Sequence, residues 1–315
     1  MGLLYTKKET GKEDKNTFVF NIELAQKQVL ITGANGQLGS ELKRATSSHP
    51  ANLLFHFADV NELDITDPIA VDEYIASHGI RYIVNCAAYT AVDKAEDEPE
   101  KCYRINRDAV RNLATAAAKH RAMVIHISTD YVFDGTGNRP YRETDPVNPQ
   151  SVYGKSKQEA ESLLLEICPE SIVIRTAWLY SIFGNNFVKT MIRLGNEKSS
   201  LNVVADQHGT PTNAADLADA ILKIINHAEA FGDFKAGIYH FTNEGETTWY
   251  DFTRAIHELK GITSCKVNPV TTAEYPTKAV RPQYSVLDKS KIKETFDLEI
   301  PEWKASLVRM LQDIE

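Results

Sequence analysis

The stretch KQVLITGANGQLGSEL, residues 27–42, carries the reading of the fold. Its first half, Lys27 to Thr32, is a short apolar run that reads as a buried strand. Its second half has the apolar spacing of a helix. Between them stand Gly33, Gly36 and Gly39, in the pattern Gly-x-x-Gly-x-x-Gly. A glycine at the first place permits a tight turn. At the second it lets the backbone approach a pyrophosphate, and at the third it lets the helix pack on the strand. The helix N-terminus then offers free N–H groups and a partial positive charge to the phosphates. The stretch predicts a dinucleotide-binding loop formed by Gly33, Asn35, Gly36, Gln37, Leu38 and Gly39.

The pattern repeats outward from this unit. NLLFHFAD reads as a second strand. DPIAVDEYIASHG reads as a helix with Asp67 as N-cap, Pro68 in the first turn and Gly79 as its stop. IRYIVNCAA reads as strand three, EPEKCYRINRDAVRNLATAAAKH as one long helix, and AMVIHIST as strand four. A helix begins near Tyr153, and SIVIRTAWLY is strand five. Short connections between alternating strands and helices predict an α/β fold with a doubly wound parallel sheet of the Rossmann type. Residues 27–178 form this dinucleotide-binding domain. The pattern loosens in 179–315, which reads as a smaller mixed α/β substrate domain with some chain crossings back to the sheet. Residues 1–26, charged and without apolar periodicity, read as a flexible extension.

Strand two ends at Asp59, 20 residues after Gly39, where an acid can bond the adenosine ribose. No Arg follows it to welcome a 2′-phosphate, which favours NADH over NADPH. Asp64 and Ile65 come next and edge the adenine, or else serve the cap before Pro68. After strand three, Ala87 and Ala88 leave room for a ligand at the sheet's carboxyl edge, and Tyr89 and Thr90 continue that loop.

In SVYGKSKQEAE, residues 151–161, Tyr153 and Lys157 stand four apart and share one helix face. A phenol near an ammonium is a proton donor tuned toward neutral pH. A surface Tyr on a Lys stem is the plain alternative.

The chain has 315 residues, 43% hydrophobic and 25% charged, with a formal charge of -8. These are the values of a globular protein. The negative charge argues against a nucleic-acid partner, which needs a basic face. No apolar run approaches the ~20 residues of a membrane helix, and the first twenty residues are too polar for a signal peptide. The expectation is a cytoplasmic protein. Cys86, Cys102, Cys168 and Cys265 show no paired metal spacing and read as reduced thiols. The nine histidines form no metal cluster, and His126 and His240 read as core or edge residues of strands.

Together, TGANGQLG, STDYVFDG and YGKSK resemble the extended short-chain dehydrogenase/reductases, with Thr129 and Tyr153 separated by 24 residues. NCAAYTAVDKAEDEPE, RTAWLYSIFGNNFVKTM, DQHGTPT, TTWYDF and YPTKAVRPQYSVLD narrow the likeness to the dTDP-4-dehydrorhamnose reductase family, from about Lys27 onward. The resemblance implies reduction of the C4 ketone of a dTDP-4-dehydro-sugar by NADPH or NADH. It implies that Thr129 bonds the ketone oxygen, that Tyr153 protonates it, and that Lys157 holds the nicotinamide ribose and lowers the Tyr153 pKa. By the same likeness, Thr90, Val92, Asp93, Asp130, Tyr131 and Trp178 border the sugar. Asn186, Arg193, Gln207 and Arg281 are candidates for the nucleotide and diphosphate; an Arg fork suits phosphate. Some similar proteins share Mg²⁺ across a dimer through acids. Here Glu41 is present, but Ser199 and Ser200 stand where the other acids are sought, which argues against that metal. The expected partner is the dTDP-sugar alone, in a monomer or a homodimer.

Two other readings keep the fold. A sugar-nucleotide epimerase would retain its cofactor through turnover, and a 4,6-dehydratase would need Glu where Tyr131 stands. A non-catalytic subunit, similar to the regulatory subunit of methionine adenosyltransferase, would not need Thr129, Tyr153 and Lys157.

Overall fold

A computed structural model describes residues 26–47 and 52–314. The expected extension, 1–26, lies almost wholly outside the described residues. Six parallel strands form the central sheet: β1 (Lys27–Thr32), β2 (Leu53–Ala58), β3 (Ile80–Asn85), β4 (Met123–Thr129), β5 (Ser171–Thr176) and a later strand, Gly237–His240. From one edge the order is β2, β1, β3, β4, β5, Gly237–His240. The direction of winding reverses between β1 and β3, and a ligand crevice forms outside the carboxyl ends at such a point. The register brings the ends level there: Thr32 pairs with Ala58 and Asn85, Asn85 with His126, and Thr129 with Thr176.

Helices cover both faces, as a parallel sheet requires. On one face α1 (Gln37–Thr46) lies beside the long helix Ala214–Phe231. Leu38, Leu42, Leu217, Ile221 and Ile225 pack there on Val29, Ile31, Val84 and Ile125. On the other, α2 (Pro68–His78), α5 (Ala109–His120) and α6 (Val152–Ile167) bury Val71, Ile75, Leu113 and Leu164 against Leu30, Ile83 and Val124. The α2 boundaries follow from its ends. The Asp67 carboxylate accepts from the N–H groups of Ile69 and Ala70, and Gly79 takes a left-handed φ of 60°. Helix Ala214–Phe231 and strand Gly237–His240 come from beyond residue 178, so the chain returns to the sheet after leaving it. A separate apolar cluster, with Tyr180, Val188, Met191, Phe252, Ile256 and Trp303, organises much of the C-terminal part, while Ile292, Phe296, Leu298 and Ile300 join the sheet-side core.

Two expected elements are interrupted. The long helix after strand three consists of α4 (Pro99–Tyr103), a π-turn at Arg104–Asp108 and α5. Such turns insert a residue into the helical ladder and are frequent at functional sites. The expected strand through Tyr180 stops at Thr176. Trp178 has φ 48°, and Leu179–Tyr180 pairs instead with Thr212–Asn213.

Candidate active site

Gly33 turns at φ 64°, and a Cβ there would lie 2.7 Å from the Ala87 backbone. A Cβ on Gly39 would lie 2.6 Å from Ala34 Cα. Both atoms struck belong to backbone, so neither position has room for a side chain. At Gly36 only Gly33 O comes near, at 3.2 Å, and the loop stays open on that side. Helix α1 has no side-chain cap and no acid in its first turn, so its N-terminus remains available to an anion. The expected cradle for a pyrophosphate is therefore sterically and electrostatically fit for one.

A cleft of about 320 Å³ opens from this loop. It is lined by Gly33, Gly36, Asp59, Asp64, Ile65, Ala87 and Ala88, all anticipated from sequence, and also by Thr66, Cys86, Arg104 and Ile105. The Asp59 carboxylate accepts the Asn35 N–H at 2.9 Å and the Val60 N–H at 2.8 Å, fixing the glycine loop to the end of β2. Its remaining lone pairs are left for a ribose. The Asp64 carboxylate bonds Thr66 and so shapes the turn before α2. Arg104 was not anticipated: it was read as one more residue of a continuous helix, and the π-turn carries it to the cleft.

At the carboxyl end of β4, the Thr129 hydroxyl accepts the Tyr131 N–H at 3.2 Å and donates to Asp130 at 2.9 Å. The Ser151 hydroxyl caps α6 by accepting the Gly154 N–H, and Gly154 allows the helix to press on the Tyr131 carbonyl. This sets the Tyr153 phenol near the Thr129 side chain. The Tyr131 and Tyr153 rings meet edge to face, 5.6 Å between centroids. Burial pushes the Tyr153 phenol up, and the Thr129 bond opposes this only in part. The expected lowering by Lys157 is not found. Desolvation of the phenolate dominates, so the phenol stays protonated, as a proton donor must start.

Lys157 is buried. Its ammonium or amine reaches the Ile127 carbonyl at 2.6 Å and His126 Nε2 at 3.1 Å. Burial lowers its pKa to about 8, against the opposing charge of Glu161. Asp130 is buried too, and burial pushes its pKa up to about 6 while bonds from Ser285 and Thr129 oppose the shift. Its Oδ2 has no hydrogen-bond partner among the described residues.

Other candidates divide. Arg281 pairs with Asp93 at 2.6 Å and donates to the Tyr131 hydroxyl at 3.2 Å, joining three anticipated residues beside Tyr153. The Tyr89 backbone is held by Asn106, and Thr90 is exposed just before α3 (Val92–Ala95), which begins at Val92. Asn186 caps helix Phe187–Glu197 and donates to the Gln37 side chain at 3.0 Å, tying that helix to the glycine loop. Trp178 stacks on Trp249 at 3.5 Å. Two candidates are spent elsewhere. Arg193 is exposed and pairs with Glu197 one turn along its own helix, an i,i+4 surface pair. Gln207 is buried and donates to Thr272. Glu41 is also internal: it accepts from the Ser181 hydroxyl at 2.6 Å and pairs with Arg44. Sequence reasoning passed over Asn85 and read His126 only as a core or edge residue of its strand. Each is polar in an otherwise apolar strand, which was the available signal.

The cysteines are free, and Cys102, Cys168 and Cys265 are buried. Among the described residues no helix is long and apolar enough to cross a membrane.

The family model described as RmlD substrate binding domain matches residues 27–315. The dTDP-4-dehydrorhamnose reductase of Aggregatibacter actinomycetemcomitans is 44% identical, over 89% of this chain and 97% of that protein. A solved dTDP-4-dehydrorhamnose reductase from Clostridium acetobutylicum superposes with a TM-score of 0.85 at 44% identity, covering 91% of this chain and 99% of the other. One from Bacillus anthracis, solved in complex with NADP, gives 0.86 at 38% identity, with the same coverage. With this match over residues 27–315, the chain belongs to the RmlD substrate binding domain family, among the dTDP-4-dehydrorhamnose reductases.

Proposed function

We propose that this protein reduces the C4 ketone of dTDP-4-dehydro-L-rhamnose to the alcohol of dTDP-L-rhamnose, with NADPH or NADH as reductant. The observation that supports this reading is Thr129 at the carboxyl end of β4 beside Tyr153 of α6, on the same edge of the parallel sheet as the glycine loop after β1. The reduced nicotinamide supplies hydride to C4 when bound. Tyr153 would donate to the oxygen that gains negative charge, and Thr129 would join it by exchanging its bond to Asp130 for one to that oxygen; donors placed for a developing oxyanion are the largest single source of rate in such sites. Tyr153 gives that oxygen its proton, so hydride and proton together complete the alcohol.

The glycine loop and the N-terminus of α1 would hold the cofactor's diphosphate, Asp59 the adenosine ribose, and Lys157 the nicotinamide ribose. Arg104 in the same cleft supplies a cation suited to a 2′-phosphate, so Asp59 no longer argues for NADH over NADPH. Arg281, with Asp93 and Tyr131, is placed for the sugar nucleotide, and its guanidinium suits a phosphate. Arg193 and Gln207 are not proposed as contacts, because their polar groups are engaged elsewhere. We assign substrate binding to the C-terminal part and cofactor binding to the residues before 178. Helix Ala214–Phe231 and strand Gly237–His240 serve the cofactor half.

Tyr153→Phe tests the assignment. Loss of one such donor costs about 3 kcal/mol or more, a hundredfold or greater fall in turnover. NADPH binding should persist, measured by quenching of its fluorescence. Turnover within a few-fold of the parent would refute the role given to the phenol.

A further inference from the structure

Behind Lys157 runs a buried polar chain that the proposed reaction does not use. The Thr32 hydroxyl donates to Asn85 Oδ1 at 2.7 Å, and the Ala87 backbone N–H donates to the same oxygen at 3.2 Å. Asn85 Nδ2 lies 3.0 Å from His126 Nδ1, and His126 Nε2 lies 3.1 Å from Lys157 Nζ. Thr32, Asn85, His126 and Lys157 are each at most 1% exposed.

Counting protons leaves one self-consistent arrangement. The Ala87 N–H can only donate, so the Asn85 atom facing it must be the carbonyl oxygen. The Asn85 NH₂ then faces His126 Nδ1, which must accept. A neutral imidazole that accepts at Nδ1 carries its proton on Nε2. That N–H points at Lys157 Nζ, which can accept only as the neutral amine. An ammonium there would set N–H against N–H in a dry interior, where an unsatisfied donor costs roughly 1–3 kcal/mol.

We propose that His126 and Asn85 form a tautomer-coupled latch that fits the neutral amine of Lys157, so that Lys157 takes up a proton only when the imidazole and the amide turn over with it. His126 is a positioning residue in this scheme. Protonation of Lys157 moves the imidazole proton to Nδ1, turns the Asn85 amide, and strips the Ala87 N–H of its acceptor. Ala87 belongs to the loop that lines the cofactor cleft, so the charge on Lys157 and the shape of that loop are coupled.

The other groups facing Lys157 are Cys86 beyond β3, Cys102 on α4 and Glu161 one turn along α6. Burial holds the Cys86 thiol up to about 12, and it holds Cys102 up as well, so both stay neutral. Glu161 is committed to Arg175. Burial depresses the proton affinity of both Lys157 and His126, and an imidazolium would set its Nδ1–H against the Asn85 NH₂.

The inference concerns the site proposed above but not its substrate, and its test needs neither substrate nor cofactor. Protein labelled with [¹⁵N]histidine and [¹³Cε]lysine is titrated by NMR, with Lys157 assigned by its loss in Lys157→Arg. The latch predicts that Lys157 titrates below about pH 9, against an ordinary value of ~10.4. It also predicts that His126 changes from the Nε2–H to the Nδ1–H tautomer at the same midpoint. A His126 tautomer that stays fixed while Lys157 titrates would overturn the proposal, as would an ordinary Lys157 midpoint. Asn85→Asp supplies a carboxylate that accepts from Nδ1–H and holds the second tautomer. Its Lys157 midpoint should rise by at least about one pH unit, tenfold in proton affinity, and an unmoved midpoint would also overturn the latch. If that variant does not fold, the parent's tautomer measurement decides.

Discussion

Replacing Arg175 by Met would remove the charge that holds the two elements carrying the proposed catalytic residues. Arg175 lies on β5, 2% exposed, with its guanidinium over the Phe133 ring at 5.1 Å. Its Nε and terminal nitrogen donate to the Glu161 carboxylate at 3.0, 3.2 and 2.6 Å. Glu161 stands one turn after Lys157 on α6 and accepts from the hydroxyl of Ser128, the residue before Thr129, at 2.5 Å. Arg175→Met keeps most of the stem volume and leaves Glu161 buried and unpaired. Breaking a buried pair from one side costs about 3–5 kcal/mol. In a domain of this size each kcal/mol is roughly 2–4 °C, so the melting temperature should fall by about 10 °C. Adding Glu161→Gln removes the stranded charge while keeping an acceptor for Ser128. The double variant should regain at least half the loss. Denaturant unfolding and thermal melting at pH 7 measure both. A single variant that loses less than about 1 kcal/mol, or a double variant no more stable than the single, would refute the reasoning.

Three further outcomes follow from the same geometry. Gly39→Ala places a methyl against backbone at Gly33 and Ala34; overpacking of this kind costs about 1–3 kcal/mol, and NADPH affinity by calorimetry should fall with stability. Asp130 is raised to about 6 by burial, so the folded protein binds more protons than the unfolded one between the ordinary Asp value and about 6. The Asp130 charge therefore destabilises the fold above that range, and the penalty disappears as pH falls through it. Asp130→Asn should then gain on the order of 2–3 kcal/mol in urea unfolding at pH 8 and little at pH 4; equal effects at both values would contradict the assignment. Lys157→Met, with a bond to the Ile127 carbonyl lost, should weaken NADPH binding at least tenfold, a loss of ~1.4 kcal/mol, read by fluorescence titration.

The sheet was legible because its strands are buried on both faces and so read as continuous apolar runs, such as Val29–Ile31 and Ile172–Ile174. The glycine loop was legible because close backbone approach admits no other residue at Gly33 and Gly39. Tyr153 and Lys157 were legible by helical spacing. What escaped depends on long-range partners. Arg193 is the exception, since its partner Glu197 stands four residues on in the same helix, a spacing visible in the sequence. The π-turn that delivers Arg104 inserts a residue between two stretches that each read as helix, so the sequence reads as one. Trp178 ends strand five through a left-handed backbone, a conformation that a tryptophan does not advertise. His126 could be read as a strand histidine, and it is one; its meaning comes from Asn85 and Lys157, 41 and 31 residues away.

The central claim is that hydride and proton meet at one ketone in this cleft. Purified protein is mixed with NADPH and dTDP-4-dehydro-L-rhamnose, and nicotinamide absorbance is followed while the sugar nucleotide is identified by NMR. The account predicts one dTDP-L-rhamnose formed per NADPH consumed, with Tyr153→Phe nearly silent. NADPH left unconsumed by well-folded protein, or a product whose C4 remains a ketone, would contradict it.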